Sequence, residues 1–162
     1  MKGAEDNVAY KRILVPVDYS DCSRAAVRAA TEIAQKFGSS IDIVHVWDRP
    51  TYVSDVLLVG NQGQSQKSLV DLIRENAEKD MADFLASLEI PSGLDVSHRL
   101  ISGEPAATIV QELGRGEHDL VIVSTHGRTG LAHLLLGSVT EKLVRLSPIP
   151  VLTVPPPDRT KK

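Results

Sequence analysis

Five short strand-like runs, most of them aliphatic, punctuate this chain of 162 residues: Arg12–Pro16, a run near 41–47, another near 95–101, Leu120-Val121-Ile122-Val123, and Val151–Val154. The intervals between them repeat apolar residues at helical spacing. Near-continuous hydrophobic strands are buried on both faces, and strands that alternate with amphipathic helices build a parallel sheet covered by helices. Crossovers between parallel strands are right-handed, which restricts the winding further. The sequence therefore predicts one α/β domain over 1–154: an open five-stranded, mainly parallel sheet with helices on both faces and the strand order 3-2-1-4-5. Residues 155–162, three prolines and a charged end, are expected to form a disordered tail.

Local signals set the helices. Ser20 or Asp21 can cap a first helix in which Ala26, Ala30, Ile33, Ala34 and Phe37 share one face, and Gly38 stops it. Leu69, Ile73, Ala77, Met81, Phe84, Leu85 and Leu88 trace the apolar stripe of a second, with Arg74, Glu78, Lys79 and Asp80 on its solvated side. Gly103-Glu104-Pro105 introduces a third, with Ile109 and Leu113 facing inward. A fourth begins at Ser138, where Ser138 and Glu141 have the spacing of a capping box. The interval 51–66 is too long for an ordinary connection and reads equally as a surface excursion or a lid.

Open α/β sheets bind ligands at the carboxyl ends of strands where the winding reverses. If the first and fourth strands are neighbours, Pro16-Val17-Asp18 faces the segment 124–130 there. Gly127, Gly130 and Gly137 either permit turns in a structural loop or, with a helix start behind them, admit a ligand. The first amides of that helix, at Ser138, Val139 and Thr140, lack helical acceptors and carry partial positive charge, which suits a phosphate. Asp18, an acceptor when ionised, fits a ribose hydroxyl or a base amine, or caps the first helix instead. His126 either fixes the loop through its backbone or meets phosphate. His45 reads as a satisfied core residue, and His98, His118 and His133 show no ligand spacing.

Composition removes several classes. The net charge is −3, and no basic block precedes the short end at 159–162, which argues against nucleic acid. No apolar run reaches membrane-spanning length, so the expectation is a soluble, cytoplasmic chain without a membrane partner. Cys22 is the single cysteine, and no Cys/His spacing suggests a metal site. No G-x-x-x-x-G-K-[ST], no G-x-G-x-x-G after the first strand and no G-x-S-x-G occurs, so no catalytic residue is nominated.

On these residues the chain resembles the universal stress protein family, from Ile13-Leu14-Val15-Pro16-Val17-Asp18 to Pro148-Ile149-Pro150-Val151-Leu152-Thr153-Val154. Nucleotide-binding members carry G-x-x-G, nine residues, then G-S or G-T. Here Gly127 is the second glycine, 128–136 are the nine residues, and Gly137-Ser138 closes the motif. Ser124 stands at the first glycine. The resemblance implies a Rossmann-like adenine-nucleotide-binding fold and a role in stress response. It implies that Pro16, Asp18 and the backbone of Val46 hold the adenosine end. Val123, Ser124, His126 and Gly127 would line the ribose and first phosphates, and Gly137, Ser138, Val139 and Thr140 the outer ones. It further implies ATP, or AMP or ADP, with magnesium or manganese bridged by phosphates, and a homodimer. The edge strand Val151–Val154 would pair with its own copy across a two-fold axis.

Ser124 separates the readings. Glycine permits close approach and positive φ, and serine limits both, although its hydroxyl can itself bond ribose or phosphate. The expectation is an adenine-nucleotide sensor or switch with little or no turnover. The alternative is a dimeric scaffold of the same fold that has lost the nucleotide. A slow ATPase, or self-phosphorylation on Ser138 or Thr140, is the weaker third.

Overall fold

The computed structural model describes residues 10–47, 57–58, 67–127 and 136–157. The central strand is β1, Arg12–Pro16. On one side of it lie β2, Ser40–Trp47, and then β5, Val96–Ser102; on the other lie β6, Leu120–Ser124, and β7, Val151–Val154. Every neighbouring pair is parallel. Counting these five strands along the chain, the order is the predicted 3-2-1-4-5. A two-residue antiparallel ladder, β3 at Leu57–Leu58 with β4 at Lys67–Ser68, forms a separate small sheet. The rest of 51–66 lies outside the described residues, as do 158–162 of the tail.

Among the described residues four helices cover the sheet: α1 at Asp21–Phe37, α2 at Leu69–Ala86, α3 at Pro105–Leu113 and α4 at Ser138–Leu146. Because side chains alternate along a strand, the aliphatic runs feed two cores. Ile13, Val15, Ile41, Ile43 and Ile122 pack on one face with Ala26, Ala30 and Ala34 of α1 and Met81 and Phe84 of α2. Leu14, Val44, Val121 and Val123 pack on the other with Ile109 and Leu113 of α3 and Leu143 of α4. Alanine at every fourth position of α1 keeps a narrow face against the sheet, so β1, covered on both sides, has Ile13, Leu14 and Val15 fully buried.

Ser20 caps α1 by accepting from the Ser23 amide, and Gly38 ends it at φ 68°, its amide bonded to the Ala34 carbonyl. Phe37 departs from the expected inward face. It is 45% exposed and meets Tyr10 edge-on at 5.8 Å, because the last helical residue has passed the sheet and finds only the approach to β1. The second helix stops at Ala86, and Leu88 still packs on the first core from beyond it.

One polar cluster interrupts the second core. Asp42, on β2, is fully buried. Arg99 of β5 donates to its Oδ2 from Nη2 at 2.7 Å, and the His118 Nε2 lies 3.1 Å away. Arg99 Nη1 also reaches Glu112 of α3 at 2.9 Å. Burial by itself pushes the Asp42 carboxyl up; the hydrogen bonds from His118 and Arg99 overcome this and hold it well below the usual carboxylate range. The cluster ties β2, β5, α3 and the segment before β6 together.

Candidate functional site

The winding reverses between β1 and β6: the chain leaves β1 through α1 for β2 on one side, while β6 and β7 lie on the other. At the carboxyl ends of these strands opens a cavity of about 200 Å³. Its floor is Pro16 and Val17 at the end of β1, Val44, His45 and Val46 of β2, and Val123 and Ser124 of β6. Pro105 and Ile109 of α3 form one wall, and Gly137, Ser138, Val139 and Thr140 at the start of α4 the other. Asp18, Ser23, His126 and Gly127 complete the lining. All eleven residues nominated from the sequence, Pro16, Asp18, Val46, Val123, Ser124, His126, Gly127, Gly137, Ser138, Val139 and Thr140, line this one cleft. Gly130 lies outside the described residues.

Asp18 is held rigidly. Its Oδ1 accepts from the Ser20 amide at 3.1 Å, the Ser20 hydroxyl at 2.5 Å and the Ser23 hydroxyl at 2.6 Å. Ser23 Oγ in turn accepts from the Asp18 amide at 2.9 Å. Ser20, not Asp18, is the cap of α1; Asp18 Oδ1 braces that cap from outside the helix, while Oδ2 lies against Gly127. A Cβ on Gly127 would stand 2.7 Å from that oxygen. Glycine is required there for close approach.

Tyr19 takes the left-handed conformation at φ 68°, which no other non-glycine among the described residues does. Its ring stacks on His45 at 4.1 Å and meets Phe84 at 5.4 Å, contacts that offset an unfavourable backbone and fix the turn after Asp18. The His45 Nδ1 lies 2.7 Å from the Val17 carbonyl; a carbonyl only accepts, so that nitrogen carries the proton. His45 is satisfied, as expected, yet it is half-buried and reaches the cleft instead of lying wholly in the core.

Ser124 does not need positive φ. It is the last residue of β6, paired to Val154 of β7, and its hydroxyl donates to the His126 carbonyl at 2.9 Å. The strain expected of serine at this entrance does not arise. Its carbonyl accepts from the Thr140 hydroxyl at 2.7 Å, and the Thr125 carbonyl accepts from the Gly137 amide at 2.7 Å. These two bonds seat the start of α4 against the end of β6. His126 adds a contact of 2.9 Å between its Nδ1 and the Thr125 hydroxyl.

The capping box is absent. Gly137, not Ser138, is the N-cap of α4, with no side-chain cap bond, and Ser138 is the first helical residue. Glu141 pairs instead with Arg145 at 3.6 Å. The helix still begins at Ser138, as the sequence suggests, and the bond from the Gly137 amide to Thr125 holds Gly137 at the cap in place of a box. By contrast, Ser20 caps α1 and Glu104 caps α3. The start of α4 thus faces the cleft with its first amides uncapped by any side chain, where an anion is favoured. Sequence reasoning missed the clamp on Asp18, although the spacing Asp18-x-Ser20-x-x-Ser23 carries it, and missed Pro105 and Ile109 as a wall because they sit in another helix.

Comparison with known proteins decides the family, since the sequence model of the Universal stress protein family matches residues 9–155. The chain belongs to the universal stress protein family. It is 31% identical over 150 residues to universal stress protein MJ0531 of Methanocaldococcus jannaschii, covering 93% of this chain and 85% of that one. Among solved structures, that of MJ0577 superposes with a TM-score of 0.72 at 26% identity, covering 93% of this chain and 99% of the other. A universal stress protein solved in complex with cAMP superposes with a TM-score of 0.58 at 25% identity, covering 92% and 99%. For this universal stress protein, no helix among the described residues is long and apolar enough to cross a membrane.

Proposed function

We propose that this universal stress protein is a stress-response regulator that binds an adenine nucleotide, ATP foremost, and uses it as a signal with little or no turnover. One observation carries the reading. The uncapped start of α4 and the clamped Asp18 carboxylate line the same cleft, which suits one ligand that carries both an anionic group and hydrogen-bond donors. A nucleoside phosphate has the matching chemistry: hydroxyls that donate to Asp18 and phosphates that accept from the amides of Ser138, Val139 and Thr140. The similar protein solved with cAMP supports the adenine end. The apolar floor, with Pro16 and the backbone of Val46, would take the base.

A divalent ion, magnesium or manganese, would be carried by the phosphates, since no three of His, Cys, Asp and Glu converge among the described residues. Binding is better supported than hydrolysis, and Thr140, whose hydroxyl is already engaged by Ser124, is a poor acceptor for self-phosphorylation. The protein would act in the cytoplasm as a homodimer through β7, whose surroundings expose Leu152, Val144 and Leu146 at 38, 49 and 55%. An edge strand beside exposed apolar residues is a natural pairing surface. The test is to denature freshly purified protein and chromatograph what it releases. Adenine nucleotide near one per chain supports the reading; an empty protein that also fails to bind added ATP with magnesium refutes it in favour of the dimeric scaffold.

A further inference from the structure

Glu104 and Lys142 adjoin the cleft lining without belonging to it: Glu104 directly precedes Pro105 of α3, and Lys142 follows Thr140 by two residues on α4. Glu104 caps α3, with Oε2 accepting from the Ala107 amide at 2.7 Å, and is followed directly by Pro105 of the lining. Lys142 lies one turn past Ser138 on α4, and its Nζ is 3.4 Å from Glu104 Oε1, with both side chains about half exposed at 52 and 55%. The Ala107 amide, and after it Lys142, keep the Glu104 carboxyl below its ordinary range, so it stays ionised beside the proposed phosphate end. Nothing in the geometry of the cleft floor requires this pair; α3 would be capped equally well by an uncharged acceptor.

We propose that the pair selects nucleotides by phosphate number: Lys142 leaves the Glu104 carboxylate for the outermost phosphate of a triphosphate, and Glu104 opposes extra phosphates that Lys142 does not neutralise. The inference rests on the reading of the cleft as a nucleotide site. The exchange is favourable because a half-exposed carboxylate–lysine pair contributes little, whereas a lysine on phosphate makes a charge-assisted hydrogen bond to a more highly charged partner. Glu104 cannot follow Lys142, since its other oxygen holds the Ala107 amide. A monophosphate, placed by the resemblance at the first-phosphate positions Val123, Ser124, His126 and Gly127, would stop short of the amides of α4 and leave the pair closed.

The experiment is titration calorimetry of the full chain, stripped of nucleotide, with AMP and with ATP in chelator at low salt, comparing the native protein with Glu104→Gln and Lys142→Gln. Glutamine at 104 keeps the cap and removes the charge, so each variant is expected to melt near the native temperature. Glu104→Gln should raise the ratio of ATP to AMP affinity about threefold to tenfold and Lys142→Gln should lower it by a similar factor. Both effects should shrink in about 1 M salt, where the screening length is near 3 Å. A ratio unchanged in both variants overturns the selector while leaving the nucleotide site intact. Weaker ATP binding by Glu104→Gln also overturns it, because Glu104 would then assist phosphates. A native protein that binds neither nucleotide in chelator, nor ATP with magnesium, refutes the nucleotide site, and the selector with it.

Discussion

Gly127→Ala tests the closest approach in the cleft. The new Cβ would sit 2.7 Å from Asp18 Oδ2, nearer than carbon and oxygen tolerate, so one of them must retreat by several tenths of an ångström. The carboxylate resists, because its Oδ1 is held at 3.1, 2.5 and 2.6 Å by Ser20 and Ser23. If the carboxylate yields, one or two of these bonds to a charged group are lost, each worth about 1.5–3 kcal/mol; partial relaxation brings the expected cost to about 2 kcal/mol. For a domain of this size that lowers the melting temperature by about 4–8 °C. Urea denaturation should show a lower midpoint with an unchanged slope. The decisive comparison is a double-mutant cycle with Asp18→Ala, which removes the obstacle: in that background Gly127→Ala should cost about 0.5 kcal/mol or less, leaving a coupling near 1.5 kcal/mol. A Gly127→Ala penalty that is equally large with alanine at position 18 would refute the argument, and so would a cost below about 0.5 kcal/mol in the native background.

Three further outcomes follow from other parts of the molecule. Asp42→Ala should destabilise by about 3 kcal/mol in urea, because it strands Arg99 and His118 beside an emptied site. Since the folded-state pKa of Asp42 is depressed, its contribution is complete above the unfolded value near 3.9 and is lost as the pH falls through and below it; the advantage of the native protein over Asp42→Asn should fade between about pH 5 and pH 2, and an advantage constant over that range would contradict the assignment. Ser124→Gly removes the bond to His126 and relieves no strain, so nucleotide affinity in calorimetry should stay level or fall up to about threefold; a clear gain would mean that serine crowds the site after all. Leu152→Lys should convert a dimer to monomer in sedimentation if β7 is the pairing edge, and an unaltered dimer would place the contact elsewhere.

The parallel sheet was legible because Leu14, Val121 and their neighbours form uninterrupted aliphatic runs, and a parallel sheet is the arrangement that buries such runs on both faces. The glycines and Asp18 were legible because a loop that must pass close to a carboxylate admits few residues. Two kinds of information were not. The buried group of Asp42, Arg99, Glu112 and His118 unites residues scattered from β2 to the segment before β6, and a lone charge in an aliphatic strand gives no hint of its partners. The cap of α4 was misread because the capping-box spacing of Ser138 and Glu141 is a local signal. The bond from the Gly137 amide to Thr125 comes from another segment and outweighs it. Phe37 failed for a related reason: helical periodicity assigns a face but not where the sheet ends.

Asp42 and its partners grip the sheet well below the ends of the strands, and the cleft sits at those ends. The two have no residue in common. Substitutions that abolish ligand recognition can therefore accumulate around Asp18 and the start of α4 while the ionic anchor and both aliphatic layers stay intact, so the same frame can survive a change of cargo, or the loss of one, without first having to relearn how to fold.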